Sequence, residues 1–433
     1  MKRILALFLV IFMLLGTFAA CGNSGDQTQD TNEESESVEE SASGEESASG
    51  EESESGEESE SEEESESETE TETEEEETHK CEDKDSDEKC DECKKIYMID
   101  VNYTRKDNKI TFGSYPQTEV VDDNLKATLN AKAGQLPTGE NSQAWTSYGY
   151  YNKDEKDSFM WYIDLEEGGE KYRGVYFIAY RSNHFDLSST EHTNQDDNGY
   201  EISTVYWFKY EPISWTIISE TVNKDVTEKV NDKFQRVESN IVLLCDMIID
   251  AQAYQAECVY GDNNEYYNAS EGVAEGTSAN NYAQSTIRKW LNDTFYNTAF
   301  NDIQKQMVLD TDVDNAPATS EFPSSLYTYK NTTDKVYLLS YADAKSIKSR
   351  IKQNTAYARV QGAYTVFTNN SKGEIECNGW WFLRSPHHGS LYANVVDDLG
   401  NIDYTNVAFN QEGVVPALKM SIKMLEKISS NKK

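Results

Sequence analysis

The residues best suited to bind a metal ion lie together before residue 96. One imidazole and three thiols, including a Cys-x2-Cys pair, are supplied by His79, Cys81, Cys90 and Cys93. Four such ligands complete a tetrahedral Zn2+ site, so the spacing predicts a short zinc module over residues 79–96. In a chain that is exported, a disulfide-linked or fully reduced turn is the open alternative.

Calcium is a weaker interpretation of the same module. Alternating carboxylates, as in the first half of a Ca2+-binding loop, are supplied by Asp83, Asp85 and Asp87. However, Glu88 stands where that loop turns on glycine, and Lys94 stands where a bidentate glutamate closes it.

A second group of side chains near the C-terminus predicts a ligand-binding face. Its members are Trp381, Arg384, Tyr392, Asn394 and Asp397. An exposed tryptophan beside an arginine suits a sugar face or a peptide. Because consecutive strand residues point to opposite sides, we expect one of Trp380 and Trp381 to be in the core. The alternative is that both are buried and that Arg384 pairs with an internal acid.

Recognisable catalytic motifs are absent from the sequence. It contains no Gly-x-Ser-x-Gly elbow, no His-Glu-x-x-His and no glycine-rich phosphate loop. His387 and His388 are adjacent, and on an extended chain they would point apart and not share a metal. Asp397 precedes Gly400 and also fits a simple turn. We therefore expect binding rather than catalysis.

The N-terminal segment predicts export and lipid anchoring. Lys2 and Arg3 precede an apolar run from Ile4 to Leu15, which is short for a membrane span and typical of a signal peptide. Small residues before Cys21 are similar to a bacterial lipobox, in which that cysteine is lipidated. We expect residues 1–21 to be a lipoprotein signal, with the mature protein on the outer face of the bacterial membrane.

Residues 22–78 predict a disordered, acidic stalk. They carry 24 Glu and 2 Asp with no Lys or Arg, out of a net charge of −40 for all 433 residues. Such a segment buries too little apolar surface to fold. Residues 96–433 still hold 46 acidic against 32 basic residues, which argues against nucleic-acid binding.

Residues 97–433 predict an α+β domain, because β-strand patterns surround a helical middle section. Glu166–Glu170 predicts a hairpin turn, and Glu211-Pro212 predicts a turn that pairs Val205–Lys209 with Ile213–Ile218. Predicted strands are Ile110–Gln117, Ser158–Leu165, Tyr172–Tyr180, Val205–Lys209, Ile213–Ile218, Ile241–Cys245, Val336–Ser340, Ala393–Val396, Ile402–Val407 and Gly413–Met420. Predicted helices are 280–291, Phe295–Phe300, Ile303–Val308 and Tyr341–Ile351. Cys245 is expected to be a buried thiol, and a Cys258–Cys377 disulfide is left open.

Five phrases in order resemble the DUF6273 domain family, across nearly all of residues 97–420. They are Ile110–Gln117, Ser285–Asn292, Asp334–Ser340, Trp380–Pro386 and Gly413–Leu418. Val415 departs from the arginine that the family usually shows there. The resemblance implies an exported bacterial protein without an established activity. The pattern of the last two phrases, Trp380–Pro386 and Gly413–Leu418, is similar to the C-terminal pattern of C-type-lectin-like and formylglycine-generating-enzyme-like domains. This similarity implies a C-type-lectin-like fold.

Together these observations predict a surface lipoprotein whose folded domain binds or scaffolds extracellular glycan or protein ligands. The alternative is an exported enzyme, either of the formylglycine-generating type or a hydrolase that uses Asp397 and a histidine. Formylglycine-type oxidation would need a reactive cysteine pair, whereas Cys377 alone lies near the closing strands.

Overall fold

A computed structural model describes residues 108–422, with gaps at 139–143, 152–156, 184–187, 190–192, 222–226, 231–232, 237–238, 262–264, 317–318 and 322–329. The predicted signal peptide, stalk and residues 79–96 lie outside the described residues. Within them, the fold is a mixture of β-sheets and short helices, so the predicted α+β class is confirmed.

The largest sheet has eight strands in the described part of the chain. In spatial order they are Val336–Tyr337, Ala417–Ser421, Asn240–Cys245, Val205–Thr221, Glu170–Phe177, Met160–Glu167 and Thr146–Ser147, with Lys109–Glu119 also paired to Val205–Thr221. Met160–Glu167 and Glu170–Phe177 form the predicted hairpin, and Gly168 and Gly169 supply the positive φ angles of its turn.

A second sheet contains the C-terminal tryptophan strand. Its order is Asp250–Ala251, Gly413–Val414, Trp381–Pro386, Tyr392–Val396 and Ile402–Asn406. Smaller sheets are Lys352–Gln353 with Ile375–Gly379 and Thr365–Asn369, Cys258–Tyr260 with Tyr266–Asn268, Thr311–Val313 with Thr332–Asp334, Tyr180–Arg181 with Ser188–Ser189, and Thr227–Val230 with Lys233–Arg236.

The helices are short, and several of them begin at a side-chain cap. Asn301 and Ser340 each form a capping box, before Asp302–Met307 and Tyr341–Ser346 respectively. The other helical segments are Asp123–Ala133, Asn194–Asp197, Thr286–Trp290, Tyr296–Ala299 and Ala356–Val360, with a 3-10 turn at Tyr282–Gln284 and a π turn at Leu291–Phe295. No helix in the described residues is long and apolar enough to cross a bilayer.

Two strand predictions were wrong. Val205–Lys209 and Ile213–Ile218 are not a hairpin but parts of one strand, Val205–Thr221. Pro212 is tolerated inside it because the facing strand shifts register between Thr111 and Ser114. Gly413–Met420 is likewise not one strand. Gly413–Val414 pairs in the second sheet, and after Pro416 the chain joins the large sheet as Ala417–Ser421.

Most of the apolar core lies in one cluster that joins both sheets and the helices. It includes Trp215, Leu243, Phe295, Trp381 and Leu418, each fully or almost fully buried. A smaller cluster around Trp161 and Trp207 packs beneath the Asp123–Ala133 helix.

Candidate ligand-binding cavity

A cavity of about 890 Å³ is lined both by the large sheet and by the helical segment after residue 282. Its size falls in the range of pockets that hold small ligands. We call its two sides the sheet wall (Tyr115, Ser147, Tyr148, Tyr150, Tyr162, Arg173) and the helix wall (residues 283–298).

Tyrosine rings dominate the sheet wall. The rings of Tyr148 and Tyr150 are almost parallel, at an interplanar angle of 7° and a centroid distance of 5.7 Å. The ring of Tyr162 lies 4.8 Å from that of Tyr148. On the neighbouring side, the guanidinium of Arg181 stacks on Tyr150 at 4.1 Å. The wall therefore offers aromatic faces that bind planar or weakly polar surfaces and cations.

Arg173 occupies the floor of the cavity and is 5% exposed. Asp164 stands directly opposite on the neighbouring strand, and its carboxylate accepts hydrogen bonds from Arg173 Nε and Nη2 at 2.8 and 2.9 Å. Burial alone would raise the pKa of Asp164, but the hydrogen bonds and charge of Arg173 hold it below its ordinary value. Arg173 Nη1 reaches the hydroxyl of Tyr357 at 3.4 Å, and the guanidinium lies 4.3 Å from the ring of Tyr162.

Asp250 adds a buried carboxyl group to the same floor. It accepts hydrogen bonds from the hydroxyl of Tyr115 at 2.8 Å, from Ala251 N and from Gln252 Nε2. Burial raises the pKa of Asp250 even though these three donors favour the charged form. A polar ligand in the cavity would thus meet both an ion pair and a carboxyl group of altered acidity.

The helix wall contains a π turn, which is a rare feature often associated with functional sites. The α-helix Thr286–Trp290 begins at the Ser285 cap and continues into Leu291–Phe295 with the wider i→i+5 spacing. Trp290 stacks on Phe295 at 5.7 Å, and Trp290, Asp293 and Thr294 line the cavity. The predicted break between the helices 280–291 and Phe295–Phe300 is wrong, because the helical segment continues through Asn292 and Asp293.

Charged side chains surround the mouth of the cavity. Glu257, Glu271, Lys289 and Asp293 line it and are exposed. Their exposure places them at the entrance, in contrast to the buried Arg173 and Asp250.

The predicted ligand face near the C-terminus is largely buried. Trp381 is fully buried, and its indole donates a hydrogen bond to Arg350 O, so its prediction as a ligand contact is corrected to a core role. Trp380 is the half-buried partner, and its indole donates to Asp398 at 2.9 Å. The expectation that one of the two tryptophans is in the core is confirmed.

Arg384 also has a structural role. It is 5% exposed and pairs with Asp343 at 2.8 Å. The Nη1 atom of this ion pair also donates to Leu338 O, while Nε donates to Asn315 Oδ1 and Nη2 to Asp314 O. The described part of the 310–331 segment therefore covers Arg384, although its ion-pair partner Asp343 has a side chain that is 45% exposed rather than internal.

The remaining members of that face lie apart from the cavity. Asn394 is fully buried and donates to Glu321 and to Asp403 O, so it cannot contact a ligand from the surface as predicted. Tyr392 is half-buried, with its ring 5.2 Å from that of Tyr404. Asp397 accepts hydrogen bonds from Leu399 N and from both the backbone and side chain of Asn401, which is its turn role.

His387 and His388 differ from their prediction. Their rings are 4.3 Å apart and their Nδ1 atoms meet, because the chain turns at Gly389 with a positive φ and does not continue as a strand. Burial and the neighbouring His388 lower the pKa of His387 to about 4. Among the described residues, no group of three or more His, Cys, Asp or Glu side chains is arranged to hold a metal ion.

The cysteines of the described residues are free thiols. Cys258 and Cys377 form no disulfide, and Cys245 is buried as predicted. Burial raises the pKa of both Cys245 and Cys258 to about 12, which keeps these thiols protonated at neutral pH. The predicted lipidation site Cys21 and the predicted metal ligands His79, Cys81, Cys90 and Cys93 lie outside the described residues.

Sequence reasoning missed the cavity. Tyr148, Tyr162, Arg173 and Asp250 received no functional prediction, although Asp164 and Arg173 fall at symmetric positions around the predicted hairpin turn. These positions predict a cross-strand ion pair, because residues at equal distances from a hairpin turn face each other. An ion pair among aromatic residues would have indicated a polar site on the sheet.

Comparison with protein families gives one match: the model of a domain of unknown function, DUF6273, matches residues 238–422. No curated protein and no solved structure matches the chain. The matched residues include Asp250, Tyr357 and the helix wall, whereas the whole sheet wall precedes residue 238.

Proposed function

Because residues 238–422 belong to the DUF6273 family, whose function is unknown, we propose a function from the cavity itself: this protein binds short saccharides. The observation that supports the proposal is the tyrosine wall above a polar floor. Sugar rings present apolar C–H faces that pack on aromatic rings, and hydroxyls that exchange hydrogen bonds with charged side chains. The cavity offers both kinds of surface in one place.

The location belongs to the proposal as well. Cys21 as a lipid anchor and residues 22–78 as an acidic stalk would hold the folded residues outside the cell, where saccharides of the envelope or surroundings are accessible. The C-type-lectin-like fold, inferred from the closing sequence pattern, is part of the same proposal. The short zinc module is a separate proposal, tested by metal analysis of a peptide of residues 78–97 with and without reductant.

The test is calorimetric titration of the full chain with a panel of di- and trisaccharides that includes neutral, N-acetylated and free-amine sugars. Tyr162→Ala removes a ring that faces the cavity, and we expect about tenfold weaker binding of any saccharide that binds the wild-type protein. Tyr404→Ala is the matched control, because Tyr404 is 40% exposed beside His387, away from the cavity lining. Thermal unfolding of both variants separates lost contacts from lost folding.

Two results would count against the proposal. If no saccharide in the panel binds, the saccharide assignment fails. If Tyr404→Ala weakens binding and Tyr162→Ala does not, the ligand face is the Tyr392–Tyr404 surface and the cavity is not used.

One observation favours the alternative that the protein is a hydrolase. Asp250 is a buried carboxyl group of raised pKa in the cavity floor, and such groups serve as general acids in hydrolases. Incubation of bound saccharides with the protein, followed by an assay for new reducing ends, distinguishes a hydrolase from a binding protein.

A further inference from the structure

The net charge of the side chains at the mouth of the cavity indicates which saccharides it would bind. This inference rests on the proposed function above. Among the cationic residues of the lining, Arg173 is paired with Asp164, and Arg288 is paired with Asp334 at the edge of the helix wall. Lys289 remains, exposed and without an ion pair within the described residues. The positive charge available to a ligand is therefore small.

The negative charge available to a ligand is larger. Glu257, Glu271 and Asp293 are exposed lining residues that form no ion pair with any residue the structure describes. Behind them, Asp250 contributes a further carboxyl group. Three free carboxylates against one free ammonium give the entrance a net negative potential, which opposes anionic ligands and attracts cations.

Aromatic rings inside the cavity supply a second feature that favours a cation. Tyr162 holds the guanidinium of Arg173 at 4.3 Å and Tyr150 holds that of Arg181 at 4.1 Å, so both rings bind a cation but each has one face occupied. The ring of Tyr148 lies between them in the wall, and Trp290 lines the cavity from the helix wall. Electron-rich faces beside an acidic entrance form the arrangement that binds ammonium groups.

We infer that the ligand is an amino sugar with a free amine, and that Glu257, Glu271 and Asp293 select it over its N-acetylated and acidic counterparts. The hydroxylated ring packs on the tyrosine wall, while the protonated amine lies near the carboxylates of the mouth. A uronic acid would bring a negative charge to the same place and be disfavoured.

The experiment compares two trisaccharides with the same backbone on the full chain at low salt and about pH 6, where the sugar amine is protonated. One is the trimer of glucosamine and the other is the trimer of N-acetylglucosamine. The mouth variant carries Glu257→Gln, Glu271→Gln and Asp293→Asn. Its control carries the same change in net charge at exposed positions outside the cavity: Glu166→Gln, Glu201→Gln and Glu374→Gln.

We expect the glucosamine trimer to bind the wild-type protein more tightly than the acetylated trimer, with a difference that shrinks as salt is added. Each carboxylate should contribute about threefold, so the mouth variant, which loses three, should lose about 30-fold in affinity for the glucosamine trimer. Its affinity for the acetylated trimer and both affinities of the control variant should change little.

Each opposing result overturns a different step. Equal wild-type affinity for the two trimers, or equal losses in the mouth and control variants, refutes the amine selectivity and leaves saccharide binding in place. Binding of 1,5-diaminopentane as tight as that of the glucosamine trimer refutes the amino sugar as the ligand class. Failure of both trimers and of every neutral saccharide to bind removes the proposed function itself.

Discussion

Glu412 should make the folded protein more stable in mild acid than at neutral pH. Its side chain is 2% exposed, Oε1 accepts a hydrogen bond from Thr405 at 3.2 Å, and Oε2 accepts none from the described residues. Burial raises the pKa of Glu412 from 4.5 to about 7. A charge in this position has few compensating partners, so the protonated form is favoured in the folded state.

The sign and size of the effect follow from linkage. The folded-state pKa is raised, so the stabilising contribution is fully present below about pH 4.5 and is lost as the pH rises through about 7. A difference of about 2.5 pKa units corresponds to roughly 3 kcal/mol of unfolding free energy. For a domain of this size, that amounts to a shift of about 5 °C in the melting temperature.

Glu412→Gln imitates the protonated side chain at every pH. The difference in melting temperature between variant and wild type should therefore be small near pH 4.5 and should grow to about 5 °C in favour of the variant near pH 8. Comparing the two proteins cancels His387, whose lowered pKa destabilises both as the pH falls below its ordinary range. Differential scanning fluorimetry over this pH range is the measurement, with the exposed Glu166→Gln as control.

A pH-independent difference between Glu412→Gln and wild type would refute the reasoning. It would show that Glu412 stays ionised in the folded protein, held by partners beyond Thr405.

Two further substitutions test the packing of the C-terminal sheet. Gly413→Ala should lower the free energy of unfolding by about 3 kcal/mol or more, because its Cβ would lie 2.3 Å from Ile248 Cγ2 and 2.7 Å from Trp380 O. Denaturant unfolding is the measurement. Wild-type stability would mean that the backbone at Gly413 moves away from Ile248 and Trp380 at little cost. Asp397→Ala should lower the free energy of unfolding by about 1 kcal/mol, because the turn loses the hydrogen bonds from Leu399 N and Asn401 N. Saccharide affinity should stay unchanged. A large loss of affinity in calorimetry would show that Asp397 does contact the ligand.

Local patterns predicted much of the fold. The hairpin of Met160–Glu167 and Glu170–Phe177 was predictable because alternation, a Gly-Gly turn and aromatic content all act within twenty residues. The strands Tyr392–Val396 and Ile402–Asn406 were predictable for the same reason. Each of these elements is specified by its own segment of sequence.

The errors lie where a distant strand decides the outcome. Pro212 signalled a turn by itself, yet the register shift in the Lys109–Glu119 strand makes room for it within a continuous strand. Gly413–Met420 looked uniform, yet its two ends pair with strands in different sheets. Propensity describes a single segment, whereas these pairings depend on strands elsewhere in the chain: Ser114 lies 98 residues from Pro212, and Leu244 lies 173 residues from Ala417.

The cavity could not be predicted from local sequence, because its residues come from distant parts of the chain. Arg173 and Tyr357 are 184 residues apart, and Tyr115 and Asp250 are 135 apart, yet each pair is in contact on the cavity floor. Sequence reasoning instead selected the compact Trp380–Asp397 stretch, where dense aromatic residues turned out to be core. A run of large apolar side chains is most often buried in the core. Polar side chains that come from several strands form a group only in the folded protein, so none of them stands out in the sequence.

The match to the DUF6273 model covers one side of the cavity and not the other. The match to residues 238–422 includes the helix wall, Asp250 and Tyr357, but not Tyr162 or Arg173. Six of the 26 residues that line the cavity, which make up the whole sheet wall, therefore precede the family match. Since the tyrosine rings that would hold a sugar precede residue 238, the ligand of this protein has to be established on the chain that carries both walls.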